Sequence, residues 1–245
     1  MGEWEQARWT LSLCPAAGEG GGAFASARVR PAPVVVPGFA ADPERSRAEA
    51  ARRAGAKLRR YCAANRLNRL GTLTFAGEGC HDPVLLRALV GEFFRRLRAL
   101  LGGDRFPYAW VSEWHKSGHG LHVHFAVGRY VPRSLIEQAW GHGFVHIKLL
   151  GDLPVGSGTW QEARLAARYL SKYVTKDFDG AQKMQGLHRY EVGQGFTPRI
   201  ERLTGTSLGE VMDRAVDRMG AAPVTWWFSD AESGWQGPPA FWIAW

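Results

Sequence analysis

The alternation Leu121-His-Val-His-Phe-Ala-Val127 constrains the fold more than any other stretch of the chain. Successive side chains of a strand point to opposite faces, so Leu121, Val123, Phe125 and Val127 share one face and His122 and His124 the other. The preceding run, Tyr108-Ala-Trp-Val-Ser-Glu-Trp-His115, is rich in aromatic and β-branched residues, and the connection Lys116-Ser-Gly-His-Gly120 carries two glycines. Together they predict a β-hairpin. Across its ladder Glu113 points a carboxylate toward the face of the two imidazoles. Two neutral imidazoles and a carboxylate, with positions left open, suit a divalent metal that must also bind substrate. The alternative is that His122 and His124 are ordinary solvated strand residues. His115, on the face of Glu113, is a rival ligand.

The rest of the chain narrows the setting. Its 245 residues fit one embellished domain better than two. No run of eighteen apolar residues suggests a membrane span, and the N-terminus lacks the basic-then-apolar layout of a signal peptide. Cys14, Cys62 and Cys80 are odd in number and in no metal-ligand spacing, which points to a reducing, cytoplasmic home rather than a disulfide framework. The formal charge of +8 favours a polyanionic partner such as nucleic acid. That charge is concentrated: Arg45 to Arg105 holds fourteen Lys/Arg against five Asp/Glu, whereas Gly205 to Trp245 holds two against five.

Read in order, residues 1–40 form an N-terminal arm with a glycine-rich loop at Gly18 to Gly22. Asp42-Pro43 opens a helix with Asp as N-cap and Pro at its first position. This basic leading helix carries Arg52, Arg53, Arg59 and Arg60, either as a solvated face or as a phosphate-contacting one. Leu70 to Ala76 is a strand. An amphipathic helix follows from about Pro83 to Leu101, with Leu86, Val90, Phe93, Leu97 and Leu100 at helical spacing. After the hairpin come a short helix (132–140), a strand (144–150) and a helix from about Trp160 to Lys176. The order β, α, β, β, α, β predicts an α+β fold: a split βαβ, ferredoxin- or RRM-like antiparallel sheet with helices on one side and the first and third strands in its middle. The domain spans residues 41–180, and residues 181–245 are a Trp-rich extension packed on it.

Tyr169, Lys172, Tyr173 and Lys176 recur at i, i+3, i+4 and i+7 and form one helical stripe beside the apolar Ala163, Ala166, Leu170 and Val174. A tyrosine is a weak nucleophile at its usual pKa, and nearby lysines stabilise both its phenolate and a phosphate under attack. The same stripe on a purely structural helix would pack its rings and solvate its lysines.

Three segments, Gly71-Thr-Leu-Thr-Phe75, Leu121-His-Val-His-Phe125 and Tyr169-Leu-Ser-Lys172-Tyr173, resemble in order and spacing the motifs of HUH endonucleases, specifically the rolling-circle replication initiators of plasmids and phages. The resemblance covers roughly residues 65–180. It implies that His122, His124 and Glu113 hold Mg²⁺ or Mn²⁺. It further implies that Tyr169 or Tyr173 attacks the scissile phosphate of single-stranded origin DNA, leaving a 5′-phosphotyrosine link and a 3′-hydroxyl that primes synthesis. The Tyr-x-x-x-Tyr spacing is similar to that of phage initiators whose two tyrosines alternate. No Gly-x-x-x-x-Gly-Lys-Ser/Thr occurs, so a separate helicase is expected.

Around this core, Lys176 and the arginines at both ends of Arg189 to Arg199 are further candidate DNA contacts. Trp226, Trp227, Trp235, Trp242 and Trp245 lie in acidic surroundings, which favours core or partner packing over base stacking. Relaxases and single-strand transposases use the same chemistry and are the sister reading. A non-catalytic RRM-like nucleic-acid-binding module is the alternative from another class, although such a module displays aromatics where this chain has His122 and His124.

Overall fold

The computed structural model describes residues 8–25, 41–148, 160–176, 190–235 and 237–245, without the side chains of 148 and 173–176. In chain order the elements are β1 (Arg8–Cys14), β2 (Glu19–Ala25), α1 (Pro43–Ala64), β3 (Arg69–Phe75), α2 (Pro83–Leu100), β4 (Tyr108–Trp114), β5 (Leu121–Val127), α3 (Arg133–Trp140), β6 (Gly143–Lys148), α4 (Trp160–Lys176), β7 (Tyr190–Val192), β8 (Glu201–Gly205), α5 (Leu208–Met219), β9 (Thr225–Phe228) and β10 (Ala240–Ala244). They form two compact units: one spans Glu44–Thr197, and the other joins β1 and β2 to the chain from Pro198 onward.

The Glu44–Thr197 unit is built on an antiparallel sheet of order β6-β3-β5-β4-β7. Its first four strands follow the split βαβ order, with β3 and β5 inside as expected. One face is apolar: Leu73, Phe75, Trp110, Val123, Phe125 and Val127 pack under Leu86, Val90, Phe93 and Leu97 of α2 and Ile136 and Trp140 of α3. Asp82 starts α2 by accepting the Val84 N–H at 2.8 Å, which satisfies one of the unpaired amides of the first turn. Leu100, expected on the buried stripe, is the last residue of the helix and is 37% exposed. Gly71 lies in β3 beneath Phe125, where a Cβ would overlap the aromatic ring.

Helices lie on both faces. One-sided packing holds for the two crossover helices, α2 and α3. On the opposite face, Leu58, Tyr61 and Cys62 of α1 and Ala166, Ala167 and Leu170 of α4 cover Leu70, Ala109, Val111 and Ala126. The small side chains of α4 let it approach the sheet closely, and Ala126 and Ala109 in the sheet reciprocate. Asn68 donates to the buried Glu162 at 2.8 Å, tying the start of β3 to the first turn of α4.

The other unit corrects the expected division into arm, domain and extension. Residues 8–25 and the C-terminal segment share a second antiparallel sheet, of order β8-β1-β2-β10-β9. The glycine-rich stretch expected as a loop is strand β2. Gly20 and Gly22 leave room for Leu11 and Phe241 from the neighbouring strands, and a Cβ at either glycine would clash with them. The core of this unit includes Leu11, Leu13, Val211, Ala215, Phe241 and Ile243, with α5 packed along β1 and β8. Trp245 is buried and Trp242 half-buried, as packing residues should be, whereas Trp226 is 62% exposed. No helix among the described residues is long and apolar enough to cross a membrane.

Candidate active site

The expected hairpin forms, and in its register Glu113 pairs directly with His122, and Val111 with His124. Glu113, His122 and His124 therefore share the face opposite α2 and α3. β3 lies on the other side of β5, where Thr72 pairs with His124. The hydroxyl of Thr72 stands 2.9 Å from His124 Nδ1, and that of Thr74 stands 3.4 Å from His122 Nδ1. Each imidazole thus has its Nδ1 engaged by a threonine and turns its Nε2 away from β3. A hydroxyl both donates and accepts, so it can hold the ring in either tautomer. These two threonines were not singled out as site residues from sequence. The signal was their alternation with Gly71, Leu73 and Phe75 on a strand neighbouring the histidines.

His124 Nε2 lies 3.1 Å from Glu113 Oε2, an arrangement in which the imidazole donates to the carboxylate. His122 Nε2 is buried and has no hydrogen-bond partner among the described residues. The His122 ring stacks on His115 with centroids 4.4 Å apart, and His119 stands edge-on to it at 6.4 Å. Burial first, and then the neighbouring histidines, lower the His122 pKa to about 4, against a smaller opposing effect of Glu113. Its ring is consequently neutral at pH 7 with a lone pair available. His115, the rival ligand, is in the hairpin loop with Nδ1 2.5 Å from Ser117 Oγ. His146 is exposed on β6.

Among the described residues, no three His, Cys, Asp or Glu side chains are grouped as a metal site. The donor chemistry nevertheless fits a divalent cation. A buried nitrogen without a partner costs about 1–3 kcal/mol unless something satisfies it, and His122 Nε2 is such an atom beside a carboxylate and a second imidazole.

Helix α4 brings the tyrosine motif to this face. The Tyr169 ring stands edge-on to the His124 ring, with centroids 5.8 Å apart and planes at 86°. Lys172, one turn along, is exposed. The side chains of Tyr173 and Lys176 lie outside the described residues, as does Arg189. On α1, Arg52 and Arg53 are exposed and Arg59 and Arg60 half-buried, with Arg53 3.8 Å from Glu49. Arg199 is exposed and belongs to the other unit. Tyr190–Val192, between Arg189 and Arg199, is edge strand β7.

Residues 68–178, from the start of β3 past the end of α4, match the family model described as replication-associated protein ORF2/G2P. The match supports a replication-initiator family. The matched segment contains Thr72, Thr74, Glu113, His122, His124 and Tyr169, the residues that meet on this face of the sheet. Comparison with curated proteins and with solved structures returned no match.

Proposed function

We propose that this protein is an HUH-type endonuclease: a metal-dependent, strand-specific enzyme that nicks and rejoins DNA and thereby initiates rolling-circle replication in the cytoplasm. The observation that carries the reading is the placement of Tyr169 against His124, since it unites the tyrosine helix with the histidine strand on one face. In the reaction a tyrosine hydroxyl loses its proton and the phenolate oxygen bonds to phosphorus. The bond from phosphorus to the 3′ oxygen breaks, and that oxygen takes up a proton. The products are a 5′-phosphotyrosine and a free 3′-hydroxyl; attack by a 3′-hydroxyl reverses the step and rejoins the strand.

His122, His124 and Glu113 would hold Mg²⁺ or Mn²⁺, which when bound supplies charge that polarises the scissile phosphate. Thr72 and Thr74 orient the two imidazoles from behind. Tyr169, or Tyr173 one turn further along α4, supplies the nucleophile, and Lys172 offsets charge developing on the phosphate. The test is transfer of label. Single-stranded DNA from the replicon, labelled at its 3′ end and incubated with the full chain and Mn²⁺, should leave label on the protein that resists denaturation. Cleavage without such an adduct would point to water as the nucleophile and overturn the assignment.

A further inference from the structure

The Glu44–Thr197 unit contains a second polar concavity that the proposed reaction does not use. A cavity of about 290 Å³ opens between the C-terminal half of α2, the start of β4 and the β7 edge. Arg95, Arg98 and Arg105 line it. All three are exposed and none forms an ion pair among the described residues. The carboxylate on the same wall, Glu191, is already held by Arg87. Behind the arginines the Tyr108 ring stacks flat on Phe94, with centroids 3.7 Å apart and planes at 9°, and Phe196 adds a half-buried ring.

Three guanidinium groups with no carboxylate to neutralise them favour phosphate, whose oxygens match the planar N–H fork. Partly exposed aromatic rings in the same hollow favour the base or sugar attached to it. The position sets this hollow apart from the candidate active site. Tyr108 and Glu113 are five residues apart on β4, on the order of 17 Å, and their side chains point to opposite faces of the sheet.

We propose that this cavity is a second nucleotide subsite, in which Arg95, Arg98 and Arg105 grip a phosphate of the DNA strand away from the scissile bond and Tyr108 and Phe196 receive its base or sugar. The subsite rests on the reading that the protein acts on DNA. It would anchor the strand during cleavage, when the scissile phosphate itself changes partners.

The experiment measures binding of a fluorescein-labelled single-stranded oligonucleotide to the full chain in EDTA, across a series of salt concentrations. The triple variant Arg95→Gln, Arg98→Gln, Arg105→Gln should lose at least tenfold in affinity, and its log–log salt slope should flatten by about 0.7, the contribution of the one phosphate that the three arginines neutralise. The corresponding triple Lys variant keeps the charge and should restore the slope, which separates the electrostatic role of the arginines from a disturbed fold. Unchanged affinity and slope in the Gln variant, with wild-type binding intact, overturn the subsite alone. Failure of the wild-type chain to bind DNA at all overturns the proposed function and the subsite with it. Deoxyadenosine monophosphate distinguishes the source of the nucleotide: binding of it that the Gln variant loses, without any change in DNA affinity, overturns the assignment to a strand.

Discussion

Tyr169 on α4 and His124 on β5 meet edge to ring, 45 positions apart in the chain and 5.8 Å between ring centroids. Small side chains make that meeting possible. Ala166, Ala167 and Leu170 seat α4 on Ala109, Val111 and Ala126, and the Asn68–Glu162 hydrogen bond pins its first turn. Packing of small side chains thereby helps to set the position of the helix that carries Tyr169.

Removing ligands should separate chemistry from folding. His122→Ala and His124→Ala are each expected to abolish cleavage in Mn²⁺ while single-strand binding persists, because an open metal site loses affinity faster than the sheet loses stability. His124 is the more buried, so its variant should melt lower than that of His122. Calorimetric titration with Mn²⁺ and a nicking assay check both statements. A double-alanine protein that still cuts would sink the ligand assignment, and a greater effect of His115→Ala than of Glu113→Ala would replace the third ligand.

The threonines behind the imidazoles can be tested without touching a ligand. Thr72→Val keeps the shape of the side chain but removes the hydroxyl 2.9 Å from His124 Nδ1, and should lower Mn²⁺ affinity by about 10- to 100-fold. Thr74→Val, at 3.4 Å from His122, should cost less. Equal and negligible effects in a Mn²⁺ titration would reduce both residues to strand formers.

How much of this was legible in the sequence depended on how local the determining interactions are. Period-2 alternation in 121–127 gave the face that His122 and His124 share and placed Glu113 toward it across the hairpin, and the apolar spacing of Leu86, Val90, Phe93 and Leu97 gave the buried stripe of α2. The second sheet was not legible. β2 is glycine-rich and shows no alternation, and its partner β10 lies more than two hundred residues away, so Gly20–Gly22 read as a loop. The second helical layer was missed for a related reason: the apolar stripe of α4 was visible, but nothing in it says which face of the sheet it covers.

Gly71 offers a test of packing independent of function. A Cβ there overlaps the Phe125 ring, which is itself wedged against Phe93, so Gly71→Ala should destabilise the Glu44–Thr197 unit by about 1–3 kcal/mol. Denaturant unfolding followed by tryptophan fluorescence reads this directly, since Trp110 and Trp140 report on the same core. Wild-type stability in this variant would show that the ring moves aside at no cost.

The leading helix α1 carries a separate electrostatic expectation. Replacing Arg52, Arg53, Arg59 and Arg60 together with Gln should flatten the salt dependence of DNA binding by roughly 0.7 for each phosphate no longer neutralised. An unchanged slope would assign these arginines to a solvated face and leave the strand's path to other residues.

Adduct formation by the two tyrosine variants tests the central claim most directly. Just over one helical turn, about 6 Å along the axis, separates positions 169 and 173, so two phenols can serve one phosphate. With 3′-labelled single-stranded DNA and Mn²⁺, Tyr169→Phe and Tyr173→Phe should each still acquire label, peptide mapping of the wild-type adduct should find DNA on either residue, and only the double variant should remain unlabelled. Loss of every adduct in one single variant would reduce the enzyme to one nucleophile. Labelling that persists in the double variant would contradict the account altogether.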